Sequence, residues 1–298
     1  MLPLRSRVLV ASLIGVTSGS FCFLLTRRLQ LGAGDFGWSI HLAEQWLARQ
    51  PLYDTPLEQY PFTAALFALP VIRLPRELAA GLFYGISSAL LAFGLTRESY
   101  DRLLMFLAYP YWIALLYVQW SPFITASALF PLLLPATMAK PQVGLPILLT
   151  HLSRRGLWAC LIVGIISLCA APRWPLLWLS QARNYQHFIA LFVLPGPLIL
   201  LALFRYRDRD AILLLLTSLM PQRWFFDAFI LWLIPKTRRE MIITIFFSWG
   251  GGIWRWYHSP HTFTQVGRWI VLSIYLPMLA IILLRGIQPS GVAQDVSS

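Results

Sequence analysis

Charge is what this chain has least of. Only 12% of its 298 residues are Asp, Glu, Lys or Arg, about half the share of an ordinary soluble domain, while 58% are hydrophobic. A water-soluble globule cannot cover its surface with so few charges. Acidic residues are scarcer than basic ones, 12 against 24, so general-base chemistry has few carboxylates to draw on. The three cysteines, Cys22, Cys160 and Cys169, all sit in apolar blocks without metal-like spacing, which excludes a disulfide framework and leaves them as small packing residues. Nucleophile elbows, nucleotide-binding fingerprints, iron–sulfur spacings, internal repeats and heptad arrays are also absent. Gly250-Gly251-Gly252 has no strand before it and no Gly-Lys-Ser/Thr after it, so it reads as a flexible or closely packed break in a membrane helix. His258 and His261 lack acidic or cysteine neighbours, so neither a metal nor any cofactor is expected.

What the chain has instead is apolar blocks: Val8 to Leu25, Leu78 to Leu95, Leu157 to Ala171, Phe188 to Phe204 and Trp269 to Leu284. Such lengths match a hydrocarbon core of about 30 Å crossed at about 1.5 Å per residue. The first block is followed by Arg27, Arg28 and a polar stretch with no small-residue cleavage site, so it reads as a first span and not as a removed signal. The expected fold is all-α, a polytopic transmembrane bundle of about nine to twelve membrane helices, some short or re-entrant. One domain covers 1–286, and 287–298 reads as a disordered tail. The net charge of +12 would suggest nucleic acid in a soluble protein. Here the basic residues cluster at the ends of apolar blocks, which points to membrane orientation and to no nucleic-acid partner.

Arg5 and Arg7 place the N-terminus in the cytoplasm and residues 26–60 on the outer face. Within that loop Phe36 to Arg49 forms an amphipathic pattern, with Trp38, Ile40, Leu42, Trp46 and Leu47 opposite Ser39, His41, Glu44, Gln45 and Arg49, as for a helix lying flat at the interface. The clusters Arg154 to Arg155, Arg205 to Arg209, Lys236 to Arg239 and Arg285 all fall on the cytoplasmic side, and residues 211–235 form a hairpin of two short arms. Thr96 to Arg102 has balanced charge and leaves two topologies open. In one, Arg73 and Arg76 are cytoplasmic, 103–118 and 121–137 are full spans, and Lys140 emerges outside. In the other, 61–75 re-enter and Lys140 faces inward.

The outer carboxylates are Asp35, Glu44, Asp54, Glu58 and Asp227. Asp35 stands out among Gly32, Gly34 and Gly37, and it either caps the helix beginning at Phe36 or serves as a base; the roles are compatible. Lys140, bracketed by apolar spans, either snorkels at a helix end or meets an anion. Arg223 and Trp224, at the tip of the short-armed hairpin, offer a cation beside an indole, or an interfacial anchor.

In order, these pieces resemble the integral membrane glycosyltransferases of the GT-C class, most closely family 87, which uses polyprenyl-phosphate donors and includes mannosyltransferases. The resemblance rests on Gly34-Asp35-Phe36, on Pro51-Leu52-Tyr53-Asp54 with Tyr60-Pro61-Phe62, on Gln119-Trp120-Ser121-Pro122 where the family tends to have Gly-Gln-x-Asn, on Lys140-Pro141-Gln142, and on Pro221 to Trp224. It implies a GT-C-like fold in the plasma (bacterial inner) membrane that transfers mannose or another hexose or pentose, at the outer face, to a lipid or glycan acceptor. Asp35 is then the general base and Lys140 meets the donor phosphate, with Arg223 as a second cation. Tyr60, Gln119, Gln142, Trp224, Asp227 and His258 are expected around the substrate cavity. The chain departs from the family where Val118 precedes Gln119 and where Phe225, Phe226 and Asp227 replace late histidines. The rival readings are a transporter or flippase, against which the absence of paired broken segments counts, and a non-catalytic membrane scaffold.

Overall fold

The computed structural model describes residues 3–54, 60–183, 185–258 and 262–285. Glu58, His261 and the tail 287–298 lie outside the described residues. Apart from one short antiparallel pairing, every regular element among the described residues is helical.

The chain runs back and forth between two ends of a bundle. From the first end α1 (Leu4–Arg28) leads to α2 (Phe36–Leu47) and α3 (Phe62–Ala68) at the opposite end, and α4 (Arg76–Leu95) returns. There Arg7 donates to the Phe93 carbonyl at 3.1 Å and to Thr96 Oγ1 at 3.4 Å, closing the α1–α4 pair. A 3-10 stretch (Tyr100–Leu107) and α5 (Tyr109–Leu116) climb back; α6 (Ser121–Ser127), a second 3-10 stretch (Pro131–Ala139) and α7 (Pro141–His151) follow. Next come α8 (Arg154–Ala170), α9 (Trp174–Ala182), β1 (Phe188–Ile189), a 3-10 stretch (Gly196–Arg205), α10 (Arg209–Leu219) and β2 (Pro221–Gln222), which pairs with β1. A last 3-10 stretch (Phe225–Leu233), α11 (Arg238–Tyr257), α12 (Phe263–Ile270), a π-helical turn (Val271–Tyr275) and α13 (Leu276–Leu284) complete the fold.

Among the described residues three helical stretches are long and apolar enough to cross a membrane: Leu4–Arg28, Arg76–Leu95 and Phe263–Leu284, the last running through the π turn. The pair α8 and α9 makes a fourth only if its 97° bend is taken within one span. The expected uniform spans over 103–118, 121–137 and 188–204 are instead broken into short helices and 3-10 pieces. Their position explains why the breaks are tolerated. Every residue of α6 and of Phe225–Leu233 is buried, whereas α1 exposes Leu9, Leu13 and Val16 and α8 buries only Gly156 and Ser167. A short helix leaves terminal carbonyls without intrahelical partners, so it needs protein donors at its ends. At the end of Phe225–Leu233 these are cations: Arg102 donates to the carbonyls of Pro235 (2.8 Å) and Leu233 (3.3 Å), Lys236 to Leu233 (2.6 Å) and Arg285 to Ile234 (2.5 Å). Arg285 also pairs with Asp210 at 2.6 Å and Glu240 at 2.9 Å. The clusters around Arg205, Lys236 and Arg285 therefore meet at one end.

Neither topology expected for the middle of the chain holds. Arg76 pairs with Glu44 at 2.5 Å, on the side of α2, while Thr96 meets Arg7 at the other end; 61–75 turn back as α3 and a 3-10 turn, yet Lys140 lies on the same side as Asp35. Nor does α2 lie on a surface by its apolar face alone. Ser39 and Gln45 are buried with Phe36, Ile40, Leu42 and Ala43, and Leu47 is exposed, because α3 and α4 pack around the helix and Trp46 Nε1 donates to the Ala170 carbonyl at 3.0 Å. Gly250 to Gly252 do not interrupt α11; Gly252 lets the Tyr109 ring approach, 2.6 Å from where a Cβ would stand.

The backbones of α1 and α4 approach closely through Gly15 and Gly19 on one and Gly81 and Gly85 on the other, small residues four apart on facing helices. A Cβ added at Gly19 would stand 2.7 Å from the Gly81 carbonyl oxygen, and one at Gly15 2.9 Å from that of Gly85. Gly19→Leu should therefore force the helices apart and destabilise by about 1–3 kcal/mol, as overpacking does. Gly250→Leu, where no atom lies within 4 Å, should leave the thermal midpoint of the purified protein unchanged. Equal midpoints for the two variants would rule out this packing.

Candidate functional site

The site is built from the turn after α1. The chain passes Gly32 and Gly34, at φ of +59° and +51°, to reach Asp35. At Gly34 a Cβ would stand 2.5 Å from the Tyr117 carbonyl oxygen, and that same oxygen accepts a hydrogen bond from the Asp35 N–H at 2.9 Å. The partner turn carries Val118 at φ +51°, a conformation that costs a β-branched residue roughly 1–2 kcal/mol. It brings Gln119 into the interior, where its N–H donates to the Ala114 carbonyl at 2.8 Å and its side chain is fully buried.

Asp35 precedes α2 but its carboxylate does not cap it. Its backbone is already helical (φ −66°, ψ −28°), whereas a capping side chain reaches back from an extended residue. Instead Oδ2 accepts from the Tyr60 hydroxyl at 3.0 Å and from Gln119 Nε2. Burial, followed by the charge of Asp35, holds the Tyr60 phenol well above its ordinary pKa, so it stays a donor. Among the described residues no donor is held on Oδ1.

Lys140, just before α7, is 3% exposed and Asp227, in the first turn of Phe225–Leu233, is 1% exposed. They form an ion pair of 2.8 Å, and the ammonium stands 4.7 Å from the centre of the Phe226 ring. Lys140 also donates to Gln119 Oε1 at 2.7 Å. The other oxygen of Asp227 accepts from the Arg223 N–H at 2.8 Å. An ammonium only donates and a carboxylate only accepts, so Lys140 and Asp35 together fix which end of the Gln119 amide faces each. The result is a continuous line of polar contacts from Tyr60 through Asp35, Gln119, Lys140 and Asp227 to the Arg223 backbone.

Asp35, Tyr60, Lys140, Gln142 and Arg223 all line one narrow pocket of about 20 Å³, partly open to the outside. Gln119 and Asp227 stand behind its wall as partners of Asp35 and Lys140. Two expected cavity residues do not join them. Trp224 is half-buried beneath the Arg255 guanidinium, 4.0 Å from its ring centre, and His258 is exposed and stacked on Trp254 at 4.3 Å. Both are drawn off by aromatic or cationic neighbours on α11. The pocket contains a residue that sequence reasoning missed, Tyr185, whose hydroxyl accepts from Gln142 Nε2 at 3.4 Å. Burial, then the charge of Asp227, raises its pKa. It sits in an irregular segment between α9 and β1 with no spacing that marks it.

The other carboxylates on this side are committed. Glu44 pairs with Arg76, Asp54 accepts from Gln45 Nε2 at 3.0 Å, and Asp227 pairs with Lys140. Asp35 and Asp54 have only neutral partners among the described residues, and of the two Asp35 lines the pocket. On the cationic side the Arg223 guanidinium faces the rings of Tyr185 (5.5 Å) and Phe263 (6.0 Å) with no carboxylate partner among the described residues. No group of three His, Cys, Asp or Glu side chains that could hold a metal occurs among the described residues. The arrangement thus offers a proton acceptor and an unneutralised cation facing one small pocket.

Breaking the buried pair should be costly in itself. Lys140→Met leaves Asp227 charged and buried, a loss of about 3–5 kcal/mol, whereas Lys140→Met with Asp227→Asn removes both charges and should recover most of it. Thermal unfolding of the three proteins checks this; a double variant no more stable than the single one would mean that the pair is not what Lys140 contributes. No protein-family model, curated protein or solved structure matches this chain.

Proposed function

We propose that the chain is a polytopic membrane glycosyltransferase of GT-C type that transfers a sugar from a polyprenyl-phosphate donor to a hydroxyl of a lipid or glycan acceptor. The observation that supports it best is the pairing across one pocket of Asp35, held by neutral donors with one oxygen open, with Arg223. The membrane reading draws on the three long apolar helices and on the exposed apolar side chains of α1, α8 and α11. The short buried stretches are then crossings or half-crossings in the interior of the bundle. The end that gathers Arg7, Arg205, Lys236 and Arg285 is assigned to the cytoplasm by the excess of basic residues there, and the pocket to the outer face of the plasma membrane.

On this reading the acceptor hydroxyl gives its proton to Asp35 Oδ1 as its oxygen attacks the anomeric carbon. The bond from that carbon to the phosphate oxygen breaks, and polyprenyl phosphate leaves with the electron pair. Its growing charge meets Arg223 and Lys140. Lys140 already donates to Gln119 and is ion-paired with Asp227. Arg223 therefore carries most of the attraction for phosphate, and Lys140 chiefly positions Gln119 and through it Asp35. Base and leaving group act from opposite faces of the sugar, which gives inversion at the anomeric carbon.

Asp35→Asn should abolish transfer from a polyprenyl-phosphate sugar while the protein still melts like the parent; retained turnover would remove Asp35 from the role of base. Arg223→Ala should raise the KM for donor on the order of 10-fold or more, the loss of one charge-assisted contact worth about 1.5–3 kcal/mol. An unchanged KM would show that the phosphate is bound elsewhere.

A further inference from the structure

The end of the bundle away from the Asp35 pocket carries more positive charge than its own carboxylates neutralise. There α7 ends at His151, α8 and α10 begin at Arg154 and Arg209, and α11 begins at Arg238, just after Lys236. Packing brings these ends together. Arg209 Nε donates to the Thr150 carbonyl at 2.5 Å, and Lys236 pairs at 3.3 Å with Asp210, the chain neighbour of Arg209. Burial, then the charges of Arg209 and Lys236, hold the His151 pKa down to about 4, so the imidazole stays uncharged beside two cations. The carboxylates next to these cations in the chain are already engaged. Asp210 serves Arg285 as well as Lys236, Glu240 pairs with Arg285 and accepts from the Lys236 and Thr237 N–H groups, and Asp208 caps α10. Arg154, Arg155, Arg238 and Arg239 are left exposed, with no carboxylate partner among the described residues. Arg154 and Arg155 also lie in the first turn of α8, which holds no acidic residue, so they add to the positive end of its dipole. Like charges gathered in this way repel unless an anion lies among them.

We infer that this patch binds the headgroup phosphate of an anionic phospholipid in the cytoplasmic leaflet. The inference rests on the membrane placement above and not on the glycosyltransferase reading. Guanidinium groups suit a phosphate, which they can hold through paired hydrogen bonds, and a phosphate among these arginines supplies the missing counter-charge. The apolar surroundings select a lipid over a soluble anion. Leu152 and Trp158 are 49% and 59% exposed beside Arg154 and Arg155, and α8 continues away from the patch with only Gly156 and Ser167 buried. A lipid whose phosphate meets the arginines lays its acyl chains along Trp158 and the outer face of α8, which a soluble anion leaves uncovered. Basic pockets between helices on the cytoplasmic side take such headgroups in general.

The full chain, purified in detergent, is titrated with phosphatidylglycerol or phosphatidylcholine, and bound lipid is counted by native mass spectrometry. The parent should hold phosphatidylglycerol at least tenfold more tightly than phosphatidylcholine. Arg154→Gln with Arg155→Gln, and separately Arg238→Gln with Arg239→Gln, should each weaken phosphatidylglycerol about tenfold or more and leave phosphatidylcholine unchanged. None of these four side chains makes a hydrogen bond, ion pair or ring contact among the described residues, and the second pair serves if the first does not fold. Arg5→Gln with Arg97→Gln removes the same charge elsewhere at this end and should change phosphatidylglycerol binding less than twofold. Three outcomes would overturn the assignment. An equal loss in the Arg5 and Arg97 variant would mean diffuse attraction in place of a site. Equal affinity of the parent for both lipids would mean apolar contact alone. Displacement of the lipid by equimolar glycerophosphoglycerol, its headgroup without acyl chains, would make a free phosphate ester the ligand. The titration involves neither Asp35 nor a sugar donor, so lipid binding without sugar transfer, or transfer without lipid binding, tells the two readings apart.

Discussion

Two opposite charges buried together, Lys140 and Asp227, set the terms for the rest of the site. Each is almost inaccessible to water, and neither would be tolerable there alone. Replacing such a pair with apolar residues is often no worse for stability, so its value lies in what it dictates nearby. Lys140 must face Asp227, which fixes the start of α7 against the start of Phe225–Leu233. It must also spend a donor on Gln119, which settles the amide, which in turn settles Asp35. Segments that are 35, 60, 119, 140 and 227 residues along the chain are thereby held to one geometry.

The broken helices follow the same logic at the scale of the fold. Long helices carry their unpaired terminal groups out to the ends of the bundle; the short stretches leave theirs inside it, where neighbours must supply the partners. Their ends must fall where side chains can donate or accept, and those ends are where the polar residues of an otherwise apolar chain are concentrated. At one end Arg102, Lys236 and Arg285 meet the carbonyls that follow Phe225–Leu233. At the other end the first turn of the same stretch carries Asp227, which accepts from the Arg223 N–H. A buried stretch of nine residues thus links the basic end of the molecule to the pocket.

This division also decides what could be read from sequence. The long helices at 4–28, 76–95 and 263–284 were legible because their apolar blocks are of membrane length. The buried stretches were not, since an apolar run of short pieces covered on all sides has no periodicity to tell it from one span. Counting charges failed for the middle of the chain for a related reason. It treats cations as free to choose a side, but Arg76 is paired with Glu44 and Arg102 is buried against backbone carbonyls. Asp35 could be singled out by its neighbours, yet its direction depends on backbone angles that the residue type does not reveal. Tyr185 carried no signal, and His258 carried a misleading one, its indole neighbour Trp254 lying four residues back on the same helix face.

Local strain completes the case that the placement of Asp35 is specified and not incidental. Val118 adopts a left-handed backbone that glycine would take freely, at the position where the resembled family tends to have glycine. A valine there is disfavoured by itself, and it persists because the turn is fixed from both sides. Tyr117 gives its carbonyl to the Asp35 N–H, and Gln119 follows into the interior. Gly34, pressed against the same carbonyl, has no room for a side chain. Two adjoining turns therefore accept unfavourable or restricted conformations so that one carboxylate faces the pocket with only neutral partners. Such over-determined strain is characteristic of positions where geometry matters more than stability, and on the proposed reading the geometry at stake is that of the oxygen that takes the acceptor's proton.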